Sequence, residues 1–263
     1  MMARILAAYG AELTKALRQR FAALGLVLVV LAVLGALSMH PVSHDGLSDY
    51  AFVAYVMPVA LNSLGLLLLL VYCSGLVAGE MGDGSIRQML VRPILRHELI
   101  LAKLMTGMSY AVLLNLTAVA VAWGVAGIFG EMRGVSFGGE LVYSDNEMLS
   151  TAVFAVLASI APQFAAVSFA IMVSTLTRNS AAAAGAAVGL WVLLDMVKYP
   201  LGVAPLVFTT YLDMPWQVFS SRCDAVDAYW LPMLYQCLGC SGVTFLVCLV
   251  AAIFVFHRRN FSA

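Results

Sequence analysis

Cys237 and Cys240 stand in a C-x-x-C spacing, which serves disulfide exchange or metal binding when a thiolate can form. Both fall in a long apolar run with no basic residue close by, so the thiols are expected to stay protonated and to act as small packing residues. The other cysteines are Cys73, Cys223 and Cys248, of which only Cys223 lies in a polar stretch, and an odd count of this kind argues against a disulfide framework. His40, His44, His97 and His257 are scattered at the edges of apolar runs, and His40 and His44 with Asp45 would make at most a weak surface metal site. The patterns H-E-x-x-H, G-x-S-x-G and G-x-x-x-x-G-K-[ST] do not occur, so the sequence offers no zincin helix, no serine-hydrolase elbow and no phosphate-cradling loop. No catalytic residue and no metal are expected.

Composition explains why so few polar residues remain for chemistry. Of 263 residues 63% are hydrophobic and 11% charged, against about a quarter charged in soluble domains. The chain therefore reads as an integral membrane protein, all-α, with no second soluble domain. Six apolar stretches reach the roughly 20 residues that a spanning helix needs. They are Phe21–Met39, Ala51–Ala78, Ile100–Phe129, Leu149–Leu176, Ala181–Met196 and Leu234–Phe256. Within them Asn62, Asn115 and Gln163 are amides that either join helices or line a translocation path. Asp195 and Lys198, at i and i+3 near the end of the fifth stretch, can pair, either to end the helix or to form an outer gate. Gly185 and Gly189 form a GxxxG among alanines, a face for close helix packing, in a dimer or against the first span. Pro58 and Pro162 would kink the second and fourth spans.

Charge sets the expected orientation. With the N-terminus inside, the inner segments hold Arg4, Lys15, Arg18, Arg20, Arg87, Arg92, Arg96, Lys103, Arg178, Arg258 and Arg259. The outer segments hold only Arg133, Lys198 and Arg222, together with most of the acids. Both termini are thus expected in the cytoplasm. Residues 1–20 place Leu6, Tyr9, Leu13 and Leu17 at helical spacing, with Arg4, Glu12, Lys15 and Arg18 largely away from them. This pattern favours an amphipathic helix along the inner leaflet over a cleaved signal peptide. Residues 21–257 form the six-span domain and 258–263 a cytoplasmic tail. The outer stretch of about 200–232 carries Tyr211, Trp216, Tyr229 and Trp230, which suits short helices at the outer interface.

Between the second and third spans runs EMGDGSIRQMLVRPILRHELILAK, Glu80 to Lys103. Gly79, Gly82 and Gly84 allow a sharp turn. Ser85 with Gln88 fits a capping box that starts a short helix. Ile86, Met89 and Leu90 share one face of that helix, and Arg92-Pro93 ends it. A capped helix with its own apolar face and an arginine rim suits a groove in a soluble partner better than a plain turn does.

This stretch resembles the permease subunits of ABC-2 type transporters. There the second span ends in a Glu, followed by Gly-Thr, a Leu-rich turn, a Pro, a basic residue and a Lys. Here the residues are Glu80, Gly84-Ser85, Met89-Leu90, Pro93, Arg96 and Lys103, with Ser in place of Thr. The basic turn Arg178-Asn179 and the end HRRNF extend the likeness in organisation to the whole chain. The resemblance implies an ABC-2 type exporter architecture with a coupling helix over about 80–97. Glu80 would be its hinge, Gly84, Ser85, Met89, Leu90 and Pro93 its body, and Arg87, Arg92 and Arg96 its rim contacts. It implies two copies of an ABC ATPase subunit holding ATP-Mg, a second copy of this chain, surrounding membrane lipid, and a prokaryotic inner membrane. No cofactor is expected in this chain, and no nucleic acid partner. The alternative reading is an ATP-independent carrier or a membrane-embedded redox or assembly protein.

Overall fold

The computed structural model describes residues 2–39, 42, 48–85, 95–138, 140–226 and 229–259. The chain opens with α1 (Met2–Arg18) and α2 (Arg20–Ala36), which meet at 64°. Gln19 leaves the helical region (φ −78°, ψ 121°) and makes the bend. A long helix follows, α3 (Tyr50–Gly82), then α4 (Arg96–Phe129), a β1–β2 hairpin, α5 (Asp145–Leu176) and α6 (Ser180–Val197). Two single 3-10 turns (Ala204–Leu206 and Phe208–Tyr211) lead to α7 (Met214–Cys223), and α8 (Trp230–Arg258) closes the described chain. Five helices, α3, α4, α5, α6 and α8, are long and apolar enough to cross a bilayer, and α2 with its bent partner α1 brings the number to six.

The hairpin pairs β1 (Val135–Phe137) with β2 (Glu140–Tyr143) antiparallel, Phe137 opposite Glu140, and is a small departure from the all-helical expectation. It sits between two spans, and Gly138 supplies the positive φ (62°) its turn requires. Pro58 does not end the second span. It opens a π-helical stretch, Pro58–Gly65, inside α3, where its missing N–H interrupts the regular ladder. Pro162 lies inside α5, which continues past it.

α5 is the central helix, packed against α3, α4, α6, α7 and α8, and α6 also lies along α3. Its start is capped by Ser144, whose backbone N donates to Glu147 Oε2 at 2.8 Å while the Ser144 hydroxyl accepts from the Glu147 N–H at 3.4 Å. The Ser144 backbone N–H, and its hydroxyl donating to the same oxygen at 2.9 Å, hold the Glu147 carboxyl below its usual range. Asn179 starts α6 by accepting from the N–H of Ala181 (2.8 Å) and Ala182 (3.4 Å). One end of the bundle carries Lys15, Glu80, Arg96, Arg178 and Arg259; we call it the basic end.

The stretch between α6 and α8 corrects one expectation. Tyr211 and Trp216 do not offer their rings to the surface: they are 2% and 0% exposed, Tyr211 on a 3-10 turn packed against α5 and α8, and Trp216 on α7, which packs against α3 and α5. Tyr229 is exposed as expected. Cys223 likewise is not in a polar loop but ends α7 buried, and burial pushes its thiol up to about 12.

Candidate coupling site

The basic end holds a closed ring of charge. Lys15 Nζ lies 2.7 Å from Glu12 Oε1 and 2.7 Å from Glu80 Oε1. Lys103 Nζ lies 3.1 Å from Glu12 Oε2 and 2.7 Å from Glu80 Oε2. Lys103 also donates to the Leu76 carbonyl at 2.8 Å. Three elements supply the four groups: α1 gives Glu12 and Lys15, the last turn of α3 gives Glu80, and the second turn of α4 gives Lys103. Lys103 is fully buried and Glu12 almost so, while Lys15 closes the ring at the surface with its side chain 41% exposed.

The reason is local on α1. At i and i+3, Glu12 and Lys15 share a helix face. That face turns inward onto the bundle, with Ala8 buried beside it, while Leu6 and Leu17 stay exposed. The sequence pattern set Glu12 and Lys15 apart from the apolar positions, and they do lie apart. The surprise is that the polar face packs inward, because Lys103 and Glu80 wait there as counter-charges. Two cations against two anions leave no net charge buried. Burial pushes the Glu12 carboxyl up, but Lys103 and Lys15 outweigh it and hold it below its ordinary range. Lys15 is raised, since its bonds to Glu12 and Glu80 exceed the cost of burial. Beside the ring, Tyr9 OH and Ser109 Oγ are 2.6 Å apart, and Phe21 stacks on Tyr72, which tilts against Tyr110 at 4.4 Å, holding the α1–α2 bend to α3 and α4. A cavity of about 410 Å³ opens between this bend, α3 and the start of α6, with Glu12, Lys15, Glu80 and Asp83 on its wall.

The elbow starts one turn beyond Glu80. Gly79 and Gly82 remain helical, so the reversal falls on Gly84 alone, at φ +70°. Gly82 is needed for a different reason: a Cβ there would sit 2.8 Å from the Arg178 carbonyl in the α5–α6 turn. Ser85 donates back to the Glu80 carbonyl at 3.4 Å. Ile86, Arg87, Gln88, Met89, Leu90, Arg92 and Pro93 lie outside the described residues. The chain resumes at Leu95, whose N–H donates to Glu98 Oε2 at 3.0 Å, and α4 begins at Arg96. The Arg96 guanidinium donates to the carbonyls of His257 (2.8 Å) and Arg259 (2.9 Å) at the end of α8.

The other candidate residues lie apart from this site. Asn115 donates to Ser159 Oγ (3.0 Å) and faces Gln163 Oε1 (3.5 Å), all buried between α4 and α5. Asn62 donates to the Leu212 carbonyl (2.9 Å) and to Asp213, tying the π-helical stretch to the loop before α7. Lys198 pairs with Asp195 at 2.5 Å and reaches Thr209 at 3.3 Å. In all three places the side chains join elements within one chain. Gly185 and Gly189 do not pack on the first span; a Cβ at either would meet nothing within 4 Å. Cys237 and Cys240 are unbonded to each other, Cys237 buried and Cys240 half-buried. Among the described residues no group of acids, cysteines and histidines could hold a metal.

A family profile described as ABC-2 family transporter protein matches residues 10–193, more than half of the chain. The chain belongs to that family. It is accordingly a multi-pass membrane protein and the permease part of an ABC transporter, a class that works with an ABC ATPase and is generally non-catalytic itself. No curated protein matches the chain. The match takes in α1 from Gly10 to most of α6, and so includes all four members of the charge ring. Glu80 and Lys103 stood out in the sequence as parts of the elbow motif. Glu12 and Lys15 did not, although an i, i+3 acid–base pair on the amphipathic helix of a chain this poor in charge was a usable signal.

Proposed function

We propose that the chain is the pathway-forming subunit of an exporter, driven by a separate ATPase that docks on the basic end. In this reading the basic end faces the cytoplasm, both termini are cytoplasmic, and the membrane is a prokaryotic inner membrane. Two copies of the chain assemble with two ATPase subunits, which hold ATP-Mg. The segment of about 80–97 is the coupling helix, with Arg87 and Arg92 on its rim. The open faces of α6, with Gly185 and Gly189, and of α8 are left for a second copy and for lipid. An apolar interior with few charges favours amphiphiles or modified peptides over free ions as cargo.

The observation that carries this reading is the buried charge ring at the root of the elbow. A force on the elbow reaches Glu80 first, and Glu80 is locked to α1 and α4 through Lys15 and Lys103. Buried pairs of this kind hold a fixed geometry. The elbow is therefore geared to the interfacial helix and two spans, as a drive shaft must be.

The test is reconstitution with a candidate ABC ATPase subunit from the same source. Co-purification, ATP-dependent transport in proteoliposomes, and rescue of an Arg87→Glu or Arg92→Glu defect by the opposite charge change in the ATPase groove are expected. Full transport by the permease alone would overturn the reading.

A further inference from the structure

Two arginines near the ends of the described chain segments make contacts that the docking reading does not use. Arg259, just past α8, puts Nη1 on the Thr177 carbonyl (3.0 Å) and Nη2 on the Leu176 carbonyl (2.9 Å). Nη1 also lies 2.8 Å from the Met81 sulfur, in the last turn of α3. The backbone carbonyl of Arg259 in turn accepts from Arg96, the first residue of α4, which also takes the His257 carbonyl.

The chemistry is that of helix ends. The last carbonyls of a helix have no partner within it and carry the negative end of the macrodipole. α5 ends at Leu176 and α8 at Arg258, so Arg259 caps α5 while Arg96 caps α8. A guanidinium fork can hold two successive carbonyls at once; an ammonium group offers a single point of charge. Arg259 thereby touches the last turn of α3 before the elbow and the first residue of α4 after it, and ties both to the end of α5.

We propose that Arg259 is a positioning residue for coupling: it clamps the two roots of the elbow to α5 and α8, so that elbow movement displaces four helix ends together. Met81 and Arg96 are separated by the whole elbow in sequence yet share this one side chain and its carbonyl. The charge ring links the elbow to α1; the clamp links it to the central helix and the last span. This role rests on the coupling reading above.

Two measurements on the full chain test it. The first is amide hydrogen exchange of the permease alone in lipid nanodiscs, for wild type, Arg259→Ala, Arg259→Lys and Arg258→Ala. Arg259→Ala is expected to speed exchange about tenfold at 81–84, 95–98 and 176–178. Arg259→Lys should fall between, since an ammonium keeps the charge but loses the planar fork that aims one N–H group at each carbonyl. Arg258→Ala should match wild type, and exchange in the middle of α5 should be unchanged in all four. If the alanine variant loses that central protection, the lysine variant carries the comparison. Wild-type exchange in both Arg259 variants would overturn the clamp.

The second measurement is transport per ATP in the reconstituted complex. Arg259→Ala should recruit the ATPase as wild type does but lose severalfold in transport per ATP, with partial recovery in Arg259→Lys. Faster local exchange with unchanged transport per ATP would overturn the coupling role. If wild-type permease recruits no ATPase, the docking reading fails, while the exchange measurement still decides whether the clamp exists.

Discussion

Replacing Lys103 with Met keeps the volume of the side chain and removes the one fully buried cation of the ring. At an effective dielectric of about 20, its attractions to Glu80 at 2.7 Å and Glu12 at 3.1 Å amount to about 6 and about 5 kcal/mol gross. Desolvation of the three groups cancels most of that, several kcal/mol for each ion. The net cost of the substitution comes from what remains: Glu12 and Glu80 must share Lys15, leaving one uncompensated negative charge. Breaking a buried pair this way costs about 3–5 kcal/mol. At roughly 2–4 °C per kcal/mol, the expected fall in Tm is roughly 6–20 °C. Lys15→Met is the control, since its half-exposed side chain is screened and its loss should cost about 1 kcal/mol or less. Adding Glu12→Gln to Lys103→Met restores neutrality and leaves Lys15 with Glu80, so the double variant should be more stable than Lys103→Met alone. Thermal unfolding of the purified permease in nanodiscs, followed by tryptophan fluorescence, reads these three variants together with Glu12→Gln alone and the wild type. If Lys103→Met is no worse than Lys15→Met, or if the Glu12 and Lys103 effects simply add, the ring is not an electrostatic unit and its place in coupling is lost.

The ring also fixes a pH window. The Glu12 carboxyl is held below its ordinary 4.5, so its contribution is present above that value and fades as pH falls through the lower folded value. Lys15 is raised above 10.5, so its contribution is complete below that and fades only as pH rises further. Tm is therefore expected to be flat with respect to Glu12 and Lys15 between about pH 5 and pH 10; a step inside that range that Glu12→Gln abolishes would contradict the assignment. Ser144→Ala removes the cap of α5 and should cost about 1 kcal/mol, read as a Tm shift that Ser144→Asp largely avoids. Asn115→Leu should cost about 0.6–2 kcal/mol by the same measurement, with transport per ATP unchanged, because its partners join α4 to α5. Cys223 should resist maleimide in the native protein and react after denaturation; rapid native labelling would mean that α7 does not pack as described.

The hydropathy pattern alone placed five long apolar helices to within a few residues, and a sixth if α1 and α2 count as one bent span, because a bilayer demands such helices whatever surrounds them. It also placed the bend near residue 20, where amphipathic gives way to apolar. The elbow motif was enough to name the family. What sequence could not decide was which polar groups meet. Glu12 and Lys15 read as the water-facing side of an interfacial helix, yet Glu12 is buried against Lys103, and Lys15 closes the ring at the surface, because Lys103 and Glu80, far along the chain, offer opposite charge there. Tyr211 and Trp216 read as interfacial aromatics for the same reason of composition, yet packing of their segments against α5 and its neighbours buries them. Arg96 read as a rim contact of the coupling helix and Arg259 as a topology-setting charge; only the meeting of helix ends shows that each fills the unpaired carbonyls of a neighbour. Local patterns fix where helices run and where they stop, since those follow from solvent and backbone. Long-range pairing of charges depends on which helix ends lie side by side, and that is decided only when the bundle has closed.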